Sequence, residues 1–292
     1  MLSPSVIRSR PITPEDLDAI ARLLIQGYPN RSIQFFKAAF ARLAEHRTPS
    51  DFPKFGYVLE SDGSAVGAIL LIFSSIVDNG KVCIRANGAF WYVDPRYRVF
   101  AGVFLAQACG RRDVTYLNLT PGRHTWGILD AQRYKRFING EFMALAALKV
   151  SSLGASVRRA GATETDIIGL SAFEVDLIRD HEQFGCLSLV CRSGGKAYPF
   201  VFERRVRSGV LKLRYARLVY CRDLTEFVRF AGPIGRFLAV RGMVLVCIDA
   251  NGPIQGLLGK YSKANTPKYF KGPCVPNLGN FAYTERVMFE NG

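Results

Sequence analysis

The chain is poor in histidine, and its three imidazoles, His46, His124 and His181, are far apart and lack metal-ligand spacing. A His-based metal site is therefore not expected. Its seven cysteines are odd in number, scattered, and include no Cys-x-x-Cys pair. A disulfide framework or structural zinc is not expected, and a cytoplasmic, reducing setting fits best. No apolar run reaches a membrane span: the most apolar stretch, residues 67–77, is about half the length required. Residues 1–8 hold no apolar core of signal-peptide length, so export is not expected. The glycines of Gly232-Pro233-Ile234-Gly235 come without the Lys-Ser/Thr of a nucleotide P-loop.

Acidic residues are also scarce, 24 against 39 Lys plus Arg, which leaves a formal charge of +15. The surplus is spread evenly: residues 1–150 carry 19 basic and 12 acidic side chains, residues 151–292 carry 20 and 12. Clusters such as Arg204-Arg205-Val206-Arg207 and Arg133-Tyr134-Lys135-Arg136 read as solvated faces, with an anion-binding face as the alternative. Apolar residues make up 49% and charged ones 22% of the 292 residues, enough for a sizeable core and against disorder. Length alone suggests two domains.

A repeat supports that division. Phe55-Gly56-Tyr57-Val58-Leu59-Glu60-Ser61-Asp62-Gly63 recurs in outline from Phe184-Gly185 to Ser193-Gly194-Gly195. A second strand-like run follows each copy, and then a Phe-Ala-Gly step, at Phe100-Ala101-Gly102 and Phe230-Ala231-Gly232. Two versions of one α/β unit are implied.

Local signals fill in the order of elements. Residues 8–12 read as a strand, and Thr13-Pro14-Glu15-Asp16 starts a helix, with Thr13 as N-cap and Asp16 at the capping-box position. Residues 32–44 form a second amphipathic helix. Strands are predicted at 56–61, 65–73, 82–93 and 114–119, and helices at 99–109 and, for the most part, 128–147. The stretch 150–163, rich in Ser, Gly and Ala, is the expected boundary. After it come a helix at 171–181, strands at 186–191, 196–203 and 213–220, a helix from 224 and a strand at 243–249. From Asn251 onward mostly loop is expected, closing with a strand near 283–289.

Trp91-Tyr92-Val93-Asp94-Pro95-Arg96-Tyr97-Arg98, leading into a helix after this order of elements, resembles the GCN5-related N-acetyltransferase (GNAT) superfamily. There the fourth strand typically ends in Val-x-Pro-x-Tyr-Arg, which Val93, Pro95, Tyr97 and Arg98 match, and Gly-x-Gly-x-Gly or Ala follows. This chain instead reads Val99-Phe100-Ala101-Gly102-Val103 where glycine would let the backbone approach phosphate closely. The resemblance is moderate over 8–145 and weak over 165–292. In the second half, Tyr220-Cys221-Arg222-Asp223-Leu224-Thr225-Glu226 stands in place of the phosphate loop, and its acids would repel a pyrophosphate.

The resemblance implies an α/β fold of two GNAT-like (acyl-CoA N-acyltransferase) domains, each a mixed, mostly antiparallel twisted sheet flanked by helices. Their expected bounds are 1–150, holding the donor site, and 151–292, a degenerate copy. It further implies direct transfer of an acyl group from acetyl-CoA or another acyl-CoA to a small-molecule or peptide amine, with no metal. Peptide groups of Trp91, Tyr92 and Val93 would hold the pantetheine arm. Amides of Val99, Phe100, Ala101, Gly102 and Val103 would hold the pyrophosphate at a helix N-terminus, with Arg98 adding charge. Asn118 ends the next strand, and Tyr134, expected on the following helix one turn before Phe137, would protonate the departing thiolate. Glu60 and Asp94 are the nearest carboxylates for a general base, with Glu60 preferred and His124 an outsider; proximity alone is the alternative. Two other functions remain open: an aminoacyl-tRNA-dependent transferase, which the +15 charge suits, and a GNAT-shaped binding protein without turnover.

Overall fold

The structure is a computed structural model and describes residues 6–78, 80–150, 154–161, 167–207 and 212–290. The chain divides into two compact units that interleave along the sequence. Unit one comprises Met1–Ile76, Val82–Arg136 and Lys268–Val275, and unit two Val77–Lys81, Phe137–Pro267 and Pro276–Gly292. The boundary expected at 150 thus has a counterpart at 136, with a late segment returning to unit one.

Unit one runs β1 (Ile7–Pro11), α1 (Leu17–Gly27), α2 (Ile33–Glu45), β2 (Gly56–Ser61), β3 (Ser64–Asp78), β4 (Lys81–Val93), α3 (Ala101–Ala108), β5 (Val114–Asn118) and α4 (Trp126–Ala131). The strands lie side by side in the order β1-β2-β3-β4-β5. β4 and β5 are parallel, and β1-β2 and β2-β3 are antiparallel. Tyr269, Phe270 and Lys271 pair antiparallel with β5 on its other side.

Local chemistry explains the boundaries. The Thr13 N–H donates to the Asp16 carboxylate at 2.9 Å in the 3-10 turn Pro14–Asp16 that leads into α1, where a helix start was predicted, and Ser32 Oγ accepts from the Phe35 N–H at 3.1 Å as the N-cap of α2. The β2-β3 hairpin turns through Asp62 and Gly63, at φ of 48° and 80°, as a two-residue turn matched to strand twist requires. Gly56 has φ 111°, and a Cβ there would lie 2.2 Å from the Ile69 carbonyl oxygen. α3 buries Phe104 and Leu105 against Phe73, Leu71 and Tyr116, while Ile20, Leu24, Phe36 and Leu43 of α1 and α2 are fully buried.

Unit two contains β6 (Lys135–Ala144), β7 (Ser156–Arg159), α5 (Ala172–Gln183), β8 (Leu187–Ser193), β9 (Lys196–Arg207), β10 (Leu213–Tyr220), α6 (Leu224–Ala239), β11 (Leu245–Ala250), β12 (Gly259–Lys271) and α7 (Glu285–Glu290). Its strands follow the order β12-β6-β11-β10-β9-β8-β7. β10 and β11 are parallel, whereas β7-β8, β8-β9, β9-β10 and β6-β11 are antiparallel. The succession β8-β9-β10-α6-β11 therefore repeats β2-β3-β4-α3-β5 in order and strand sense. Phe200 and Phe202 of β9 pack on Phe227 and Phe230 of α6 with ring centroids 6.2–6.3 Å apart. Gly235 lets α6 approach the 146–148 turn, where a Cβ would lie 2.1 Å from the Ala147 nitrogen.

Four expectations are corrected. The helix predicted over 128–147 is the short α4 followed by β6, in which Ile138, Gly140, Phe142 and Ala144 are buried at alternate positions, the period of a strand. The loop predicted after Asn251 contains β12, whose sequence is polar over most of its length. Residues 285–290 are helical rather than extended, despite the Val-Met-Phe run. The boundary stretch 150–163 holds β7, paired with β8, although 151–153, 162 and 163 lie outside the described residues.

Reduced thiols were expected, yet Cys83 of β4 and Cys274 are joined by a disulfide across 191 positions. Cys109, Cys186, Cys191, Cys221 and Cys247 are free and buried. Among the described residues no helix is long and apolar enough to cross a membrane. The bridge ties the segment after β12 to unit one. Dithiothreitol or Cys83→Ser should lower the thermal midpoint by roughly 5–10 °C, because closing so long a loop contributes about 3–5 kcal/mol in a chain-entropy account. Scanning calorimetry with and without reductant checks this, and non-reducing peptide mapping should recover the linked pair.

Candidate functional site

β4 and β5 pair only where residues 84–87 lie beside 114–117. β5 ends at Asn118, but β4 continues to Val93. Beyond the paired stretch the Asp94 N–H donates to the Val66 carbonyl of β3 at 2.8 Å. Since successive peptides of a strand point to opposite edges, those of Ala89, Trp91 and Val93 face the side that β5 has left. The chain then passes through a 3-10 turn, Pro95–Phe100, into α3. Asp94 caps that turn, its carboxylate accepting from the Arg96 N–H at 2.9 Å and from the Arg96 guanidinium at 2.9 and 3.1 Å.

A narrow cleft opens at this divergence. Its walls include Ala89 and Trp91 of β4, Asn118 of β5, Leu105 of α3, Cys109 just after it, and Tyr134. The free space is about 20 Å³, room for roughly one water. Two polar features stand out in walls that are mostly apolar apart from Asn118 and Tyr116. The Trp91 indole Nε1 is buried without a hydrogen-bond partner among the described residues, an uncommon condition in folded proteins. The second is the Tyr134 hydroxyl.

Tyr134 reaches the cleft because α4 stops sharply. Arg133 adopts φ 63°, and the Tyr134 N–H donates back to the Leu129 carbonyl at 3.0 Å. The Tyr134 ring is 7% exposed. Burial, with the neighbouring Cys109 thiol second, holds its hydroxyl well above the usual tyrosine range. Burial likewise pushes the Cys109 thiol up to about 11. Both groups stay protonated at neutral pH, so Tyr134 can donate a proton or a hydrogen bond. The Lys271 ammonium lies 5.6 Å from the Tyr134 ring centre and donates to the Cys109 carbonyl at 3.3 Å.

Trp91, Asn118 and Tyr134, chosen from the sequence, therefore meet in one cleft. Tyr134 does so from the connection between α4 and β6, not from a helix, and Phe137 lies in β6. Tyr92 points to the opposite face, against Gly27, and Val93 is core. Arg98 is exposed, Val99 and Val103 are 81% and 59% exposed, Phe100 is half-buried and Ala101 is buried. The Gly102 carbonyl accepts from the Gln132 side chain, and the space where its Cβ would project is open. The start of α3 is thus accessible, as a phosphate-binding turn must be.

Glu60 is elsewhere and does not line the cleft. It receives Arg10 at 2.7 Å and Arg8 at 3.3 Å, and Arg10 also holds Asp16 at 2.6 and 2.8 Å. Arg8 first, then Arg10, keeps the Glu60 carboxyl below the ordinary range, the wrong direction for a base. Its place is in the ion-pair network that holds β1 to β2. His124 is exposed in the turn before α4. Sequence reasoning missed Tyr28, whose hydroxyl bonds the Trp91 backbone; a Gly-Tyr-Pro at a helix end carries no periodic signal.

In unit two the last parallel pair of β10 and β11 is Arg217 beside Cys247. The buried Arg217 guanidinium donates to Glu141 at 2.6 Å and to Asp249 at 3.1 Å. The following loop is also engaged: Arg222 pairs with Glu174, and Asp223 caps α6 by accepting from the Thr225 N–H at 2.8 Å.

No family profile and no curated protein matches the sequence. Solved structures match in fold. A GCN5-related N-acetyltransferase from Anabaena variabilis aligns with TM-score 0.55 and 12% identity over 91% of this chain and 72% of its own. Another, from Kribbella flavida, aligns with TM-score 0.51 and 15% identity over 91% and 71%. A conserved protein of unknown function from Enterococcus faecalis aligns with TM-score 0.57 and 12% identity over 94% and 73%. At such identities the likeness is one of fold, and it extends over both units.

The network around Glu60 yields a stability prediction. The Glu60 and Asp16 carboxyls are both held low by arginine. Their contribution is therefore complete above the unfolded carboxyl value of about 4 and is lost as pH falls through the lower folded values. The urea midpoint should drop between pH 5 and 3, and by less in Glu60→Gln; equal drops would remove Glu60 from the network's role.

Proposed function

We propose that this chain, which has the fold of the GCN5-related N-acetyltransferases, moves an acyl group from an acyl-CoA to an amine by direct transfer in a ternary complex. The observation that carries the reading is the cleft itself. It combines a β4 edge that β5 has left, a buried indole donor without a partner, and a protonated tyrosine hydroxyl between α3 and the end of α4.

The residues present fit such a donor. The Trp91 Nε1–H needs an acceptor, and a carbonyl of an acyl-pantetheine chain is one. The first turn of α3 is exposed and turns the positive end of the helix dipole toward a pyrophosphate, with Arg98 beside it and open space at Gly102; the Ala101 N–H, expected to bind phosphate, is instead bonded to the Arg98 carbonyl. The departures at Val99 and Val103 are tolerable because both side chains are exposed rather than folded over the turn.

When bound, acyl-CoA supplies the activated thioester. Tyr134 holds a proton where a leaving sulfur needs one, and burial keeps that proton in place at neutral pH. The apolar walls formed by Leu105, Leu129 and Leu71 exclude water. No carboxylate or imidazole lines the cleft among the described residues. The amine then loses its proton to solvent, and acceleration comes from proximity.

Calorimetry should detect acetyl-CoA or a longer acyl derivative binding to the wild-type protein; no heat with either sinks the proposal. Tyr134→Phe should keep donor affinity and lower kcat by about 10²-fold, the usual scale of a lost general acid. The pH profile offers a further check. With no side-chain base, kcat/KM should rise as pH climbs through the pKa of the amine acceptor. Because Tyr134 is shifted upward, it should cause no alkaline fall below pH ~10.

A further inference from the structure

Tyr28 is the C-cap residue of α1, its N–H bonded to the Leu24 carbonyl at 2.9 Å. Its ring packs edge-on against Phe90 with centroids 5.1 Å apart and against Phe36 at 6.5 Å. From there the hydroxyl makes two bonds to the backbone of a single residue of β4: it donates to the Trp91 carbonyl at 3.1 Å and accepts from the Trp91 N–H at 3.2 Å. A phenol can do both at once. The Trp91 peptide faces the edge that β5 leaves, so Tyr28 stands in for the missing strand.

An extended chain carrying amides, added to a free strand edge, bonds through this same pairing of one N–H and one C=O. Coenzyme A carries such amides in its pantetheine arm. The Tyr28 hydroxyl and a pantetheine amide cannot both occupy the Trp91 peptide. The neighbouring cleft, which Trp91 lines, has space for about one water.

We infer that Tyr28 gates the donor cleft, occupying the Trp91 peptide in the ligand-free protein and leaving it when a pantetheine amide takes over both hydrogen bonds. This rests on the reading of the cleft as an acyl-CoA site. Release requires only that the residue between Gly27 and Pro29 swing away from Phe90, in the short connection joining α1 to α2. The gate leaves Trp91 with no exposed peptide when empty, and its release belongs to the free energy of donor binding. Affinity is thereby reduced by the fraction of molecules that are closed.

Tyr28→Phe tests the gate because it keeps the ring on Phe90 and Phe36 and removes only the hydroxyl. Hydrogen–deuterium exchange of the ligand-free protein should be faster in the variant, by about tenfold at the Trp91 amide, which loses its acceptor. Calorimetry with coenzyme A should show about tenfold tighter binding to Tyr28→Phe than to wild type, the scale of two modest hydrogen bonds no longer to be broken. Unchanged exchange, or equal or weaker binding of coenzyme A by the variant, overturns the gate while leaving the acyl-CoA reading intact. If neither protein binds coenzyme A, the acyl-CoA reading falls and the gate with it.

Discussion

Unit one is organised by a strand that outruns its neighbour. β4 keeps going for six residues after its parallel pairing with β5 stops at Asn87 and Leu117. A buried peptide group without a partner is costly, so each exposed edge must be answered. Tyr28 answers at Trp91, and the 3-10 turn capped by Asp94 turns the chain away into α3. The wedge left between the diverging strands is the cleft, and α3 with the sharp stop of α4 supplies its remaining walls. Placing Tyr134 there depends on Arg133 taking a left-handed conformation, which a residue other than glycine adopts at some cost.

Much of this arrangement was legible in the residues. The capping signal at Thr13 and the Val-x-Pro-x-Tyr-Arg ending of β4 are local, and local chemistry fixes them. Trp91, Asn118 and Tyr134 came instead from the resemblance to the GNAT superfamily, and Tyr134 was expected within a helix. The misses share a different cause. β12 is a strand whose identity comes from its neighbours: only Lys268, Tyr269 and Phe270 are buried near its end, and Pro267 argues against a strand at all. β6 was mistaken for helix because its apolar residues come in a short run where the two periods are hard to separate. The ion pairs of Glu60 and the bond from Tyr28 to Trp91 span 50–63 positions, and no window of sequence shows them.

The two units treat the same topological event differently. Where β4 and β5 part, unit one has an apolar wedge, one hydroxyl bridging a peptide and an indole donor without a partner. Where β10 and β11 part, unit two has a buried guanidinium set between two carboxylates. Removing Arg217 would take away the cation these two carboxylates share, whereas removing either carboxylate leaves Arg217 paired with the other. At this point the second unit is held by charged groups, the first by two neutral hydrogen bonds of modest strength.

The Cys83–Cys274 bond also changes how the chain carries load. A force applied at the two ends passes along the backbone through the bridge, so the 191-position loop between the cysteines cannot be drawn out while the bond is intact. At roughly 3.5 Å per extended residue, that withholds on the order of 600 Å of contour. Residues 137–267 of unit two lie inside this loop, whereas 276–292 lie outside it and bond back to it, as Tyr283 does to Asp180 and Phe281 to Val219. For a single molecule stretched from its termini, that C-terminal segment would therefore be peeled away in either redox state, and reductant would decide whether the enclosed residues can be drawn out after it.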